Sequence, residues 1–103
     1  MEDNRNSIDN SQPAQVLWPN TDVVAKRMGQ EIVLIHLQTN EIYELNRTAA
    51  RLWELLVAGK NLSEIQKQML QEFDVDAAQL GREMKDIIAS MEEAELVSAR
   101  TSD

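Results

Sequence analysis

Three short extended runs, Val23 to Met28, Ile32 to Leu37 and Ile42 to Leu45, are separated by Gly29-Gln30 and by Gln38-Thr39-Asn40, the pattern of consecutive hairpin strands. In the second run Val33, Ile35 and Leu37 fall on one face and Ile32, Leu34 and His36 on the other, because side chains alternate along a strand. Both faces are largely apolar. A sheet covered by helices on one side needs only one such face for packing, which leaves part of the second for a partner.

Past Asn46 the apolar spacing lengthens to three and four residues, the period of helices. Asn46 predicts the cap of a first helix that runs through Val57 and stops at Gly59, with Leu52, Trp53 and Leu56 inward. Asn61-Leu62-Ser63-Glu64 has capping-box spacing, with Asn in place of Ser or Thr. It opens a second helix with Leu62, Ile65, Met69, Leu70 and Phe73 facing in. Asp76-Ala77-Ala78-Gln79 repeats the device for a longer third helix, which carries Leu80, Met84, Ile87, Ile88 and Met91 and ends near Leu96-Val97. The order predicts an α+β domain of winged helix-turn-helix character: a three-stranded antiparallel sheet followed by three helices. With 103 residues the chain supports one such domain. Residues 1–20 read as a disordered tail, residues 21–98 as the domain and residues 99–103 as a C-terminal tail. Trp18, placed before Pro19 and outside any periodic pattern, is expected to fold back as a lid over the core, with a partner contact as the other reading.

Charge narrows the function classes. The formal net charge is -8, and residues 61–103 hold ten acids against four bases, whereas residues 22–60 balance five against five. The second half would repel a phosphate backbone. The third helix sets Arg82 and Lys85 against Asp76, Glu83, Asp86, Glu92, Glu93 and Glu95, so it does not read as a DNA-recognition helix. Without cysteine the chain has no disulfide framework, thiol nucleophile or thiolate metal site. His36 is the sole histidine, and in a strand it reads as a surface or half-buried residue more readily than as a base or ligand. Three isolated glycines form no phosphate-cradling loop. Asp74/Asp76 and Glu92/Glu93/Glu95 fall at helix ends and on a solvated face. We therefore expect no catalytic residue, metal site or cofactor. The start Met1-Glu2-Asp3-Asn4 is acidic and lacks an apolar h-region, and no run approaches the ~18 apolar residues of a membrane span, so a cytoplasmic protein with no membrane contact is expected.

The run Ile32-Val33-Leu34-Ile35-His36-Leu37, the segment Thr39-Asn40-Glu41-Ile42-Tyr43-Glu44-Leu45-Asn46 and the helix Thr48-Ala49-Ala50-Arg51-Leu52-Trp53-Glu54-Leu55-Leu56 together resemble the PqqD-like family. Leu62-Ser63-Glu64-Ile65, Phe73-Asp74-Val75-Asp76 and Glu95-Leu96-Val97 extend the resemblance over about residues 20–98. It implies a peptide-recognition element of a pathway that makes and modifies ribosomal peptides. Such modules bind the leader segment of a precursor peptide and present its core to modifying enzymes. Of the free-standing types, the chain resembles the leader-binding protein of lasso-peptide pathways more than the quinone-cofactor chaperone that serves a radical enzyme. The lasso type implies a precursor peptide as ligand, a leader peptidase and possibly a cyclase as partners, and a monomer or weak dimer. A winged-helix regulator and a scaffold subunit are the alternatives from other classes.

A third strand at the sheet edge offers unpaired backbone groups to an extended leader, so Glu41, Ile42, Tyr43, Glu44 and Leu45 are the expected pairing template. Leu80, Met84 and Ile88 share one face of the third helix and are expected to form the opposite wall, with Lys85 at the rim and Gly81 allowing close backbone approach. On the same wall Met84→Glu would weaken leader binding with little loss of fold. Tyr43 and Leu45 also read as core. Ile42 and Glu44 point away from it and are candidates for holding the peptidase.

Overall fold

The computed structural model describes residues 15–100, in the order β1 (Val16–Pro19), β2 (Val23–Met28), β3 (Glu31–His36), β4 (Glu41–Leu45), α1 (Arg47–Val57), α2 (Leu62–Glu72), α3 (Ala77–Glu93) and β5 (Val97–Arg100). The α+β expectation holds. β2, β3 and β4 form an antiparallel sheet in that order, and the three helices follow it. Gly29 at φ 67 turns β2 into β3 and Asn40 at φ 62 turns β3 into β4; glycine reaches positive φ without a Cβ clash, and asparagine tolerates it. The register sets Val24 beside Ile35 and Ile42, and Ala25 beside Leu34 and Tyr43.

A second ribbon departs from expectation. β1 pairs antiparallel with β5, Leu17 beside Ala99 and Trp18 beside Ser98, so residues 16–19 and 99–100 belong to the folded body and not to tails. Residues 1–14 and 101–103 of the expected tails lie outside the described residues. Leu17, only 2% exposed, is the β1 side chain that enters the core, whereas Trp18 is 46% exposed. Alternation forces this choice, since neighbours on a strand cannot share a face. Trp18 is therefore not the core lid.

The helix ends follow local chemistry. Asn46, Asn61 and Asp76 each accept a bond from the backbone N–H three residues on. Only Asn61 and Glu64 complete the reciprocal box; Gln79 donates its amide to Glu83 instead. After α1 the Gly59 N–H donates to the Leu56 carbonyl and Lys60 to Leu55, with Gly59 at φ 89, the paired bonds of a Schellman end. α3 closes in the same way, through Glu95 to Glu92 and Leu96 to Met91. The left-handed residue there is Glu95, at φ 62. This turn ends α3 at Glu93, before the expected Leu96-Val97, and sends both of those residues into the core. Asn20 holds the turn, since its backbone N–H donates to the Leu96 carbonyl and its side-chain amide to the Glu95 carbonyl at 2.8 Å.

The inner sheet face, Ile32, Leu34 and Leu45, packs with Leu17, Leu52, Leu56, Ile65, Met69 and Leu80 into one core. His36 is also in that layer, at 1% exposure, which corrects its surface reading. Its Nδ1 accepts from the Gln38 N–H at 3.3 Å, and Asn20 Nδ2 lies 3.5 Å from Nε2. Outside the core, Arg51 joins α1 to α2: its Nε and Nη2 donate to both Glu72 oxygens at 2.7 and 2.8 Å, and its Nη1 to Glu54 at 3.0 Å. Arg27 of β2 pairs with the same Glu54.

Two outcomes are expected. Glu95→Gly should stabilise the protein by about 1 kcal/mol in urea unfolding, because glycine relieves the left-handed backbone. The Glu72 carboxyl is lowered from 4.5 to about 2, chiefly by the Arg51 hydrogen bond and then by Gln68. Its folded value lies below its unfolded one, so the stabilisation is present above about pH 4.5 and fades as the pH falls toward 2. The stability difference between wild type and Glu72→Gln should be at most about 1 kcal/mol at neutral pH, as for a partly exposed pair, and should vanish across that window.

Candidate functional site

β4 is hydrogen-bonded to β3 on one side only, so its other side is an open edge. Leu45 is buried and Tyr43 half-buried on the inner face, while Glu41, Ile42 and Glu44 are exposed, Ile42 at 64%. The Tyr43 hydroxyl donates to Glu41 Oε1 at 2.5 Å. That bond, followed by desolvation and by the charges of Glu41 and Glu95, raises the Tyr43 pKa and keeps the hydroxyl a donor. α3, whose C-terminal end leads into Glu95, packs on the same helix as the strand. α1 is the floor between them, since both β4 and α3 pack on it.

The sequence-derived wall on α3 divides on inspection. Leu80 at 1% and Met84 at 5% exposure are core residues, and their outer edges are not available to a ligand. Gly81 faces α2, where a Cβ would lie 3.7 Å from Gln66 Nε2. Its lack of a side chain therefore opens no space toward β4. Lys85 is exposed and Ile88 is half-buried against the core. Ile87, which sequence reasoning assigned to the inward stripe, is half-buried as well. The apolar surface that α3 leaves partly uncovered is thus on its second half, not its first turns. The helical period marks the whole stripe as apolar, but where along it the core gives way to surface depends on tertiary packing.

β2 is a second open edge. It exposes Lys26 and Arg27, whereas β4 exposes Glu41 and Glu44; charges on an edge discourage indiscriminate strand pairing. Beneath β2, Arg27, Arg47, Arg51, Glu54, Glu72 and Phe73 line a shallow cleft, with the Arg47 guanidinium 4.7 Å from the Phe73 ring centre. The ion pairs described above fill much of it. A second hollow beside Trp18 is lined by Asn20, Glu92, Glu95 and Ser98 among others. Neither includes the β4 template. Asp76, considered with Asp74 as an acid pair, is occupied as the α3 cap.

The architecture is therefore a small antiparallel sheet with open edge strands, backed by three helices. Residues 31–97 match the family described as coenzyme PQQ synthesis protein D (PqqD), and the chain belongs to that family. Among solved structures, it resembles TbiB1 in complex with the TbiA(beta) leader peptide, with a TM-score of 0.76 and 30% identity over 84% of this chain and 99% of that one. It also shares its fold with lasso peptide synthetase B1 complexed with the leader peptide, with a TM-score of 0.72 and 18% identity over 79% of this chain and 95% of that one. No functionally curated protein matches the sequence.

The corrected placement of Met84 changes the expected result of substituting it. Met84→Glu should cost roughly 3 kcal/mol or more, because it buries a carboxylate without a partner. Urea unfolding followed by circular dichroism measures this directly.

Proposed function

We propose that this chain binds the leader segment of a ribosomally made precursor peptide by adding it as a fourth strand to the open edge of β4. The observation that carries the proposal is this edge, Glu41–Leu45, in a domain 30% identical to one solved with a leader peptide. Strand addition supplies affinity through main-chain bonds that do not depend on sequence, and specificity through the side chains that meet the adjoining wall. Ile88 and Ile87 offer apolar contact on that wall and Lys85 a charge at its rim. Tyr43 and Leu45 hold the template against the core, so the peptide meets a strand that is already ordered. The protein makes no bond itself; it delivers the leader to a separate leader peptidase, and possibly a cyclase, of a lasso-peptide pathway in the cytoplasm. Among the described residues no helix is long and apolar enough to cross a membrane.

The family description supports a second reading, presentation of a precursor peptide to a radical enzyme of quinone-cofactor synthesis. It shares the binding step and differs in the enzyme that receives the peptide.

The test is fluorescence anisotropy with a labelled leader from the adjacent precursor gene. Saturable binding is expected from the purified chain alone. N-methylation of alternate leader amides should abolish binding in one phase of the two-residue repeat and spare it in the other, because only every second N–H of an added strand faces the sheet. Ile88→Asp should weaken binding about tenfold or more, while Val57→Asp on the exposed end of α1 should not. Equal tolerance of both methylation phases would rule out strand addition.

A further inference from the structure

β2 is the least covered strand of its sheet. Every residue from Val24 to Met28 is exposed, although Ala25 and Arg27 alternate onto the inner face, where Leu34 beside Ala25 is fully buried. The helix layer therefore stops short of this strand. Its outer edge is open as well. The Leu37 N–H donates to the Asp22 carbonyl, and the pairing with β3 runs without a bulge from Val23 to Met28. By alternation Val24, Lys26 and Met28 bond to β3, while the N–H and C=O groups of Ala25 and Arg27 point out of the sheet.

Beneath this overhang sits the arginine cleft. It sets the guanidinium groups of Arg27, Arg47 and Arg51 against the carboxylates of Glu54 and Glu72, a local positive excess on a chain of net charge -8. Arg27 and Arg51 are committed to the two glutamates. Arg47 is not. Its guanidinium lies against the Phe73 ring, and among the described residues it makes no hydrogen bond or ion pair. It acts on the Glu72 carboxyl only behind the hydrogen bonds from Arg51 and Gln68. Stacking on the ring fixes the plane of the guanidinium and leaves its donors for a carboxylate. Other acids do not cancel it. Glu31, opposite Met28, projects on the outer face of the sheet; Asp22 lies at the far end of β2, roughly 17 Å from Arg27 by strand rise. Of the acids in residues 61–103 only Glu72 lines the cleft.

We propose that this overhang is a second docking site, which receives an extended acidic segment of a partner polypeptide. The segment pairs with Ala25 and Arg27 along the β2 edge and sets an Asp or Glu carboxylate on Arg47. An open edge alone would accept any strand, and a guanidinium alone any anion; together they select a chain that carries its charge on alternate residues. The β4 edge, with Glu41 and Glu44, repels the same segment. The site lies across the sheet from the leader edge and does not depend on the leader-binding reading, so one domain can hold a peptide and a second protein together.

The probe is an acetylated octapeptide of alternating glutamate and threonine, titrated into the isotope-labelled full chain to about 5 mM, a range that detects even a millimolar Kd. In amide NMR spectra Ala25 and Arg27 should shift, and Ile42 and Glu44 should not. Arg47→Gln, which keeps part of the stem against Phe73 and removes the charge, should weaken the probe about three- to fivefold. Ala25→Pro should weaken it too, since it removes an outward N–H at an edge position that tolerates proline. Circular dichroism verifies the fold of both variants. The corresponding glutamine–threonine octapeptide should shift neither amide. The proposal is overturned if the acidic probe shifts no β2 amide, if the glutamine probe binds equally, or if Arg47→Gln binds like wild type. An oligothymidylate that shifts the same amides as strongly also overturns it, because the site would then be one for any polyanion. Leader anisotropy on both variants should match wild type: a chain that binds the leader but not the acidic probe fails this inference alone, and one that binds the probe but not the leader fails only the leader proposal.

Discussion

Everything in this domain leans on α1. Ala49, Ala50, Leu52, Trp53, Leu55 and Leu56 are all buried, so the helix is enclosed over most of its circumference. β1, β3, β4, α2 and α3 each pack against it. A helix buried to that extent contributes stability through packing far more than through its own propensity. Its position also decides which surfaces remain free. The sheet is covered from the inside, the edge of β4 runs alongside the floor, and α3 closes the other side of the same floor.

The charges around this hub are divided by role. Arg27, Arg51, Glu54 and Glu72 satisfy one another beneath β2 and tie the first hairpin to α1 and α2. On the opposite edge Glu41 is engaged with Tyr43, while Glu44 projects from the outer face. Glu92, Glu93 and Glu95 gather acidic charge at the end of α3, and the Glu95 charge helps to raise the Tyr43 pKa. Excess negative charge on this half of the chain disfavours association with acidic partners.

Much of the architecture was legible because its signals are local. Asn46, Asn61 and Asp76 each announce a helix start within four residues, and Gly29 and Asn40 stand where the hairpins turn. The β1–β5 ribbon was not legible. It joins Val16 to Arg100 across nearly the whole chain, and no window of sequence contains both strands. Trp18 drew attention by its size, yet the smaller Leu17 is the core residue because strand parity, not volume, decides which side chain turns inward. His36 was misplaced for a related reason: its alternation with Ile32 and Leu34 put it on the buried face, but polarity argued for the surface. Around the candidate site, the strand Glu41–Leu45 could be read from alternation and its place at the sheet edge from the order of the strands. The exposure of α3 could not, because Leu80, Met84 and Ile88 share one helical stripe while only the last rises out of the core.

β4 passes into α1 through a single residue, Asn46, whose side chain caps the helix by accepting from the Ala49 N–H. No loop separates the edge strand from the most deeply buried helix of the domain. The strand therefore has little conformational freedom of its own to surrender when another chain pairs with it, and the entropic cost of assembly falls almost wholly on the incoming segment. By the same connection, distortion of Glu41–Leu45 would have to propagate into the core. The edge strand is a rigid extension of the core and not an arm that moves on its own.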